Sequence, residues 1–267
     1  MMVSRCPENQ KITTNKISCE EACFLIDCFS LMAEEKKIKN NDIIDQMFKA
    51  GAHFGYQKSR RDASTTPFIF GTKNKVEIID LEKTLEQLEK AEEFVSGLAK
   101  AGKQILFVGG KSEAKDSLKI GAMSIDMPYV SGRWIGGAIT NFPEIKKRIA
   151  KFEDLQKQKE KGELTKYTKK ERLLIDREIA NLDEMFSGIV SMKDAPKALF
   201  VIDPKKEFIA VAEAKKAGIP VIALANTDCN IKIIDFPIVA NDASVSSVAF
   251  FVSEIVKSYK AGKIAKA

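Results

Sequence analysis

One histidine, His53, and one tryptophan, Trp134, occur in the 267 residues. A lone histidine confines any Ser–His–Asp triad to a single place, and no serine stands in a GxSxG elbow. HxxxH, HExxH and paired CxxC patterns are also missing, which removes the usual zinc frameworks. No run approaches the roughly 18–20 apolar residues that cross a bilayer. The longest apolar windows, such as SVAFFVSEIV from Ser247, are short and interrupted by polar residues. A formal charge of +6 favours a polyanionic partner without establishing one.

Cysteine is scarce and clustered. Cys6, Cys19, Cys23 and Cys28 lie in the first 28 residues, and Cys229 stands alone. An odd, bunched set makes a poor disulfide framework, and no histidine is near enough for a metal site, so a reducing intracellular home is expected. Residues 1–31 carry a net charge of about −1, unlike an Arg-rich transit peptide or a secretory signal. Met32 opens an ordinary-looking start, MAEEKKIKNND. Residues 1–31 are therefore expected to be an appendage or an upstream-start artefact.

What is present is alternation. A short helix is expected over Ile43–Ala50, then the strand-like runs PFIFG and VEIID about a turn at Thr72–Lys75. Asp80 caps a helix carrying Leu81, Leu85, Leu88, Ala91 and Val95 on one stripe, stopped by Gly102. QILFV, a helix from Ser112 to Ala122, and MPYV follow. The pattern resumes with ALFVID, a helix over Lys205–Ala217, IPVIAL, FPIV and a closing helix over Ala243–Ala261. Apolar strands alternating with helices predict an α/β fold, a mostly parallel sheet covered by helices on both faces, flavodoxin- or Rossmann-like.

Residues 141–190 break that rhythm. Asn141 and Glu144 frame an N-terminus around Pro143, and Ile145, Ile149, Phe152 and Leu155 recur at helical spacing. KGELT offers a turn and Thr168–Glu171 a second capping box. Ile175, Ile179, Leu182, Phe186 and Ile189 then repeat in heptad fashion. An inserted, protruding antiparallel coiled-coil helical hairpin is expected. Glu144–Glu184 holds twelve Lys/Arg and ten Asp/Glu. Most of these read as a solvated face, with Lys146, Lys147, Arg148 and Lys151 as candidates for docking a partner. The organisation expected is an N-terminal extension (1–40), an α/β RNA-binding domain (41–140 and 191–262), the hairpin (141–190) and a tail (263–267).

The stretch ILFVGGKSEA, from Ile105, imitates a phosphate loop. The full motif needs a glycine five residues before Gly110, where Ile105 stands, and no GxGxxG occurs elsewhere. Gly109, Gly110 and Lys111 at a helix N-terminus still make a corner suited to a phosphate. One alternative is therefore an α/β nucleotide-binding enzyme using Gly109–Ser112. The other is a nucleic-acid binder. Basic and aromatic residues gather in loops: His53, Tyr56, Lys58, Arg60 and Arg61 in HFGYQKSRR, Lys73 and Lys75 in GTKNK, Lys111 and Lys115 after QILFV, and Arg133, Trp134 and Asn141 in SGRWIGGAITNF. Lysine and arginine neutralise phosphates, and planar groups stack on unpaired bases. Trp134 could equally anchor the core, His53 could be a hydrogen-bonded structural residue, and Phe54 is expected to pack inward.

HFGYQ, PFIFG, IIDLEKT, ILFVGGK, RWIGGAITNF and ALFVIDPKKE followed by AVAEAKKAGIPVIAL occur in one order. In this the chain closely resembles the bacterial ribosomal protein S-two family from about Asp42 to Tyr259. The resemblance implies a structural, non-catalytic protein without cofactor or small-molecule substrate, docked on small-subunit ribosomal RNA between head and body. It further implies a part in late subunit assembly, neighbouring small-subunit proteins including S-one as partners, no membrane, and a cytoplasmic, ribosome-associated location. Departures are Tyr56 where the family has a second histidine, no Trp-Asn-Pro before PFIFG, VANDASVSSV without the second Asp and the Arg, and NTDCN in place of a more acidic loop.

Overall fold

A computed structural model describes residues 40–162, 166, 168–192 and 194–265. Residues 1–39 of the extension expected over residues 1–40, with its four cysteines, and most of the KGELT turn lie outside the described residues. Strands β4 (Ile105–Val108), β6 (Ala198–Ile202) and β7 (Val221–Ala225) are apolar throughout and buried at every position. Such strands show no in–out alternation because both their faces are covered. With β5 (Tyr129–Val130) and β8 (Phe236–Val239) they form a five-stranded parallel sheet in the order β5-β4-β6-β7-β8.

Side chains leave a strand on opposite faces with period two, and the core divides accordingly. On one face Leu106, Val108, Leu199, Val201 and Ala223 pack with Ile145, Ile149, Phe186, Val211 and Ala214. These come from helices α4 (Phe142–Glu160), α5 (Lys169–Phe186) and α6 (Phe208–Lys216). Phe107 and Phe200 pack towards the other face, their tilted rings 5.4 Å apart. Helices α2 (Leu81–Lys100), α3 (Ser112–Met123) and α7 (Val245–Ile264) cover that face, with α7 packed on both α2 and α3. Each buried phenylalanine or leucine contributes roughly 1.5–3 kcal/mol through its removal from water.

The sequence places the parallel strands correctly but does not reveal a second sheet. Helix α1 (40–49) precedes β1 (Phe54–Gln57), and β2 (Ile69–Lys73) and β3 (Val76–Ile79) complete an antiparallel sheet ordered β1-β3-β2. The β2–β3 turn is tight because Asn74 and Lys75 both take positive φ (53° and 67°), the mirror-image turn whose twist matches a hairpin.

Helix ends follow their caps. The Asp80 side chain accepts from the Glu82 amide at 3.2 Å, and Thr168 and Glu171 form a full capping box. Asn141 occupies the N-cap position of α4, yet its side chain makes no capping bond; Glu144 pairs instead with Lys147 at 2.7 Å. Helix α6 starts at Phe208, three residues later than the pattern suggests. Asp203 is left-handed (φ 60°), and its carboxylate accepts from the amides of Lys205 and Lys206, so a turn intervenes.

Helices α4 and α5 pack on each other. Ile145, Ile149, Phe152, Ile179 and Phe186 are buried, whereas Leu155, Ile175 and Leu182 are only partly so. Ion pairs Lys151–Glu178 (2.6 Å) and Lys159–Asp176 (2.7 Å) bridge the two helices, and Leu173 and Leu174 lie exposed on α5.

Candidate nucleic-acid interface

Strand β4 continues through α3 to β5 on one side of the sheet, and β6 continues through α6 to β7 on the other. The two chains part company at the carboxyl ends of β4 and β6, and open α/β sheets bind ligands in the crevice this creates. The Gly109–Ser112 corner sits there. Its cation is already engaged. The Lys111 ammonium lies 2.8 Å from Asp203, 2.7 Å from Asp242 and 3.4 Å from the Tyr56 hydroxyl, which uses all three of its protons. Burial alone would lower the Lys111 pKa; Asp242 and Asp203 together outweigh it and hold it above its usual value. Asp242 is fully inaccessible and takes a further bond from Asn226 at 2.9 Å. Lys111, expected at a phosphate, is held in this structure as an internal tie.

The anion cradle of the corner is filled as well. The buried Glu207 carboxylate lies directly against Gly110. A side chain at Gly110 would displace that carboxylate. Burial raises the Glu207 pKa, partly offset by Lys206. A protein carboxylate thus stands where a nucleotide phosphate would have to be, in the same crevice as Asp203 and Asp242.

The segment after β1 lies across the same edge. The Tyr56 amide donates to Thr227 Oγ1 at 3.0 Å, the Asp62 amide to the Thr227 carbonyl at 2.9 Å, and the Ile231 amide to Ser64 Oγ at 3.0 Å. Gly55 permits this approach, since a Cβ there would come within 2.7 Å of the Thr227 methyl. Arg61 turns inward to Glu77 at 3.3 Å, while Lys58 and Arg60 stay exposed, Arg60 lying over the Tyr56 ring at 5.9 Å. Gln57 pairs with Val76, so the β2–β3 tip with Lys73 and Lys75 sits beside Lys58.

The glycine-rich loop before α4 is shaped by a residue the sequence does not flag. Glu213 of α6 accepts from the amides of Gly137 (2.7 Å) and Ile139 (3.3 Å), and from the Trp134 indole at 3.4 Å. Trp134 is only 6% exposed and belongs to the core, so its ring is not displayed to a base. Of its two readings the structure selects the anchor. Arg133 beside it is exposed, as is Asn141. Arg133 lines a cavity of about 400 Å³ with Gly110, Lys115, Gly132, Glu184 and Lys206. Lys206 is a second residue the sequence does not flag; its ammonium donates to the Gly110 carbonyl at 2.9 Å.

The described cations sort into two groups. Lys58, Lys73, Lys75, Lys115 and Arg133 have no carboxylate partner among the described residues. On the hairpin, Lys147 and Lys151 are ion-paired, Lys146 lies 5.9 Å from the Phe142 ring, and Arg148 is exposed. His53 stacks on Phe48 (centroids 4.4 Å) and touches Phe54. Its buried Nδ1 has no hydrogen-bond partner, and burial lowers its pKa. The hydrogen bond expected of His53 is not made at Nδ1, and the ring is held by its stack on Phe48. Phe54, expected inward, is 50% exposed, because β1 lies at the edge of its small sheet. Cys229 is buried, and desolvation followed by Asp228 pushes its thiol well above the usual range, which makes it inert. No group of three or more metal-ligating side chains occurs among the described residues, and no described helix is long and apolar enough to cross a membrane.

Residues 47–262 match the family model described as Ribosomal protein S2. The chain is 42% identical over 220 residues to the small ribosomal subunit protein uS2 of Coprothermobacter proteolyticus, covering 82% of each sequence. It is 42% identical over 205 residues to the uS2 protein of Borrelia hermsii, covering 77% of this chain and 81% of that one. It is 41% identical over 217 residues to that of a Nitratiruptor species, covering 81% of each.

Proposed function

The chain belongs to the ribosomal protein S2 family, and from that premise we propose that it binds small-subunit ribosomal RNA through the carboxyl edge of its parallel sheet. Membership makes it a structural protein of the small subunit, serving translation in association with the ribosome, and not an enzyme. The observation that carries the RNA contact is the concentration of cations with no carboxylate partner among the described residues, at the Lys73–Lys75 tip and at Lys58, Lys115 and Arg133 on the segments that follow β1, β4 and β5. Cations held at fixed positions neutralise phosphates in register, whereas cations already ion-paired, such as Lys147 and Lys151, gain little by meeting them.

Docking between head and body, a part in late subunit assembly and the anchoring of ribosomal protein S-one, in a cytoplasmic setting, follow from the family resemblance and complete the proposal. The exposed Leu173 and Leu174 on α5 favour a protein contact for the hairpin, beside Lys146, Lys147, Arg148 and Lys151. The RNA contact is tested by titrating small-subunit ribosomal RNA with the wild-type chain and an Arg133→Ala variant across a salt series. Loss of one phosphate contact lowers the slope of log K against log salt by about one. An unchanged slope and unchanged occupancy in purified subunits remove Arg133 from the interface.

A further inference from the structure

The crevice at the carboxyl ends of β4 and β6 contains a feature that a phosphate-binding surface does not need. Its walls carry Lys115 and Arg133, neither with a carboxylate partner among the described residues, and Lys206, whose ammonium is held by the Gly110 carbonyl. Facing them is Glu184, the third-last residue of α5, exposed and with no ion pair or hydrogen bond among the described residues. Its backbone adjoins the glycine loop, the Glu184 carbonyl lying 3.8 Å from the Cβ position of Gly132. A carboxylate on the wall repels phosphate, so a purely electrostatic contact would do better without it. A ligand with phosphate at one end and N–H donors at the other uses both walls. The volume, about 400 Å³, lies within the range of about 300–1,000 Å³ that molecules of nucleotide size occupy.

Resting on the RNA reading, we infer that this crevice receives a single unstacked guanosine of the ribosomal RNA, its phosphate between Lys115 and Arg133 and its base edge on the Glu184 carboxylate. An ionised carboxylate is acceptor-only, and guanine is the base whose pairing edge offers two adjacent donors, N1–H and the N2 amine. Adenine, cytosine and uracil offer one N–H direction each on that edge. Unpaired bases splayed from RNA are read in this way on their pairing edges. Gly110 and Gly132 keep the floor open. The Glu207 carboxylate lies against Gly110, so the phosphate is met by side chains at the rim and not by the loop.

The test uses the full chain and fluorescently labelled single-stranded RNA pentamers, UUGUU and UUAUU, with wild-type binding to small-subunit ribosomal RNA measured in parallel. The guanine pentamer is expected to bind about tenfold more tightly, the scale of one bidentate base contact, and Glu184→Gln is expected to abolish the difference. GMP is expected to compete only at far higher concentration, because it lacks flanking phosphates. Equal affinity for the two pentamers, no binding of either, or a preference that survives Glu184→Gln overturns the pocket. Tight GMP binding without flanking RNA also overturns it, by making a free nucleotide the occupant. If ribosomal RNA binds while the pentamers fail, the RNA interface stands and the guanosine pocket falls; if ribosomal RNA does not bind, both fall.

Discussion

Replacing Lys111 with methionine removes a charge and keeps most of the side-chain volume, so it isolates the electrostatic tie beneath the crevice. Asp242, fully inaccessible, would keep the Asn226 bond, and Asp203 would keep the amides of Lys205 and Lys206. Neither would keep a counter-charge. Removing one partner of a buried pair costs about 3–5 kcal/mol, and the surviving hydrogen bonds place the cost near the lower end. For a chain of this size that lowers Tm by about 6–12 °C. The pH dependence gives a second readout. Burial already raises the Asp242 pKa above its ordinary value despite Lys111, and losing the cation raises it further. A carboxyl that binds its proton more readily when folded contributes stability at low pH that is lost as pH rises through the folded pKa. The deficit of Lys111→Met is therefore expected to be larger at pH 8 than at pH 5, measured by urea denaturation at both. RNA binding should keep its salt slope, since no phosphate contact is lost. A stability change below about 1 kcal/mol that does not vary with pH, together with a slope reduced by one unit, would show that Lys111 meets RNA and would refute this reasoning.

Two further outcomes are expected. Glu213→Ala frees the Gly137 and Ile139 amides and the Trp134 indole, costing about 1–3 kcal/mol; RNA affinity should fall without change in salt slope, because a loop is released and no cation is lost. Glu92 in α2 has its pKa raised to about 7, first by burial and then by Glu254 of α7, with Glu89 adding and Ser258 and Lys257 opposing. Its folded pKa exceeds the unfolded value, so wild-type stability declines as pH rises between about 4.5 and 7. Glu92→Gln should be more stable than wild type at pH 8, by roughly 1 kcal/mol after solvent screening, and indistinguishable near pH 4; a constant offset at both pH values would contradict the assignment.

The parallel sheet was legible because strands buried on both faces must be apolar at every position, and QILFV, ALFVID and IPVIAL are. Caps were legible where one side chain meets its own helix, as at Asp80 and Thr168, and misleading at Asn141, where Glu144 has a competing partner in Lys147. Strand β1 stayed hidden because four residues containing a glycine carry no periodicity. The interface was half legible. Exposed cations announce themselves by type and by position after a strand, as Lys58, Lys115 and Arg133 do. Whether a cation is spoken for depends on residues distant in sequence: Lys111 looked available until Asp242, 131 positions later, supplied its partner. Glu184, Lys206 and Glu213 sit among many charges of the same kind, and no local pattern separates them from their neighbours.

The order in which these parts are made has a consequence. Asp242 and all of α7 lie at the end of the chain, yet the first secures the lysine beneath the crevice and the second seals α2 and α3 against the sheet. While that last stretch is still being synthesised, Lys111 has one carboxylate in place of two, and two earlier helices have no cover. The edge proposed to meet RNA is therefore completed late in synthesis, so a chain cut short before Asp242 should be left out of the growing particle rather than inserted as a defective part.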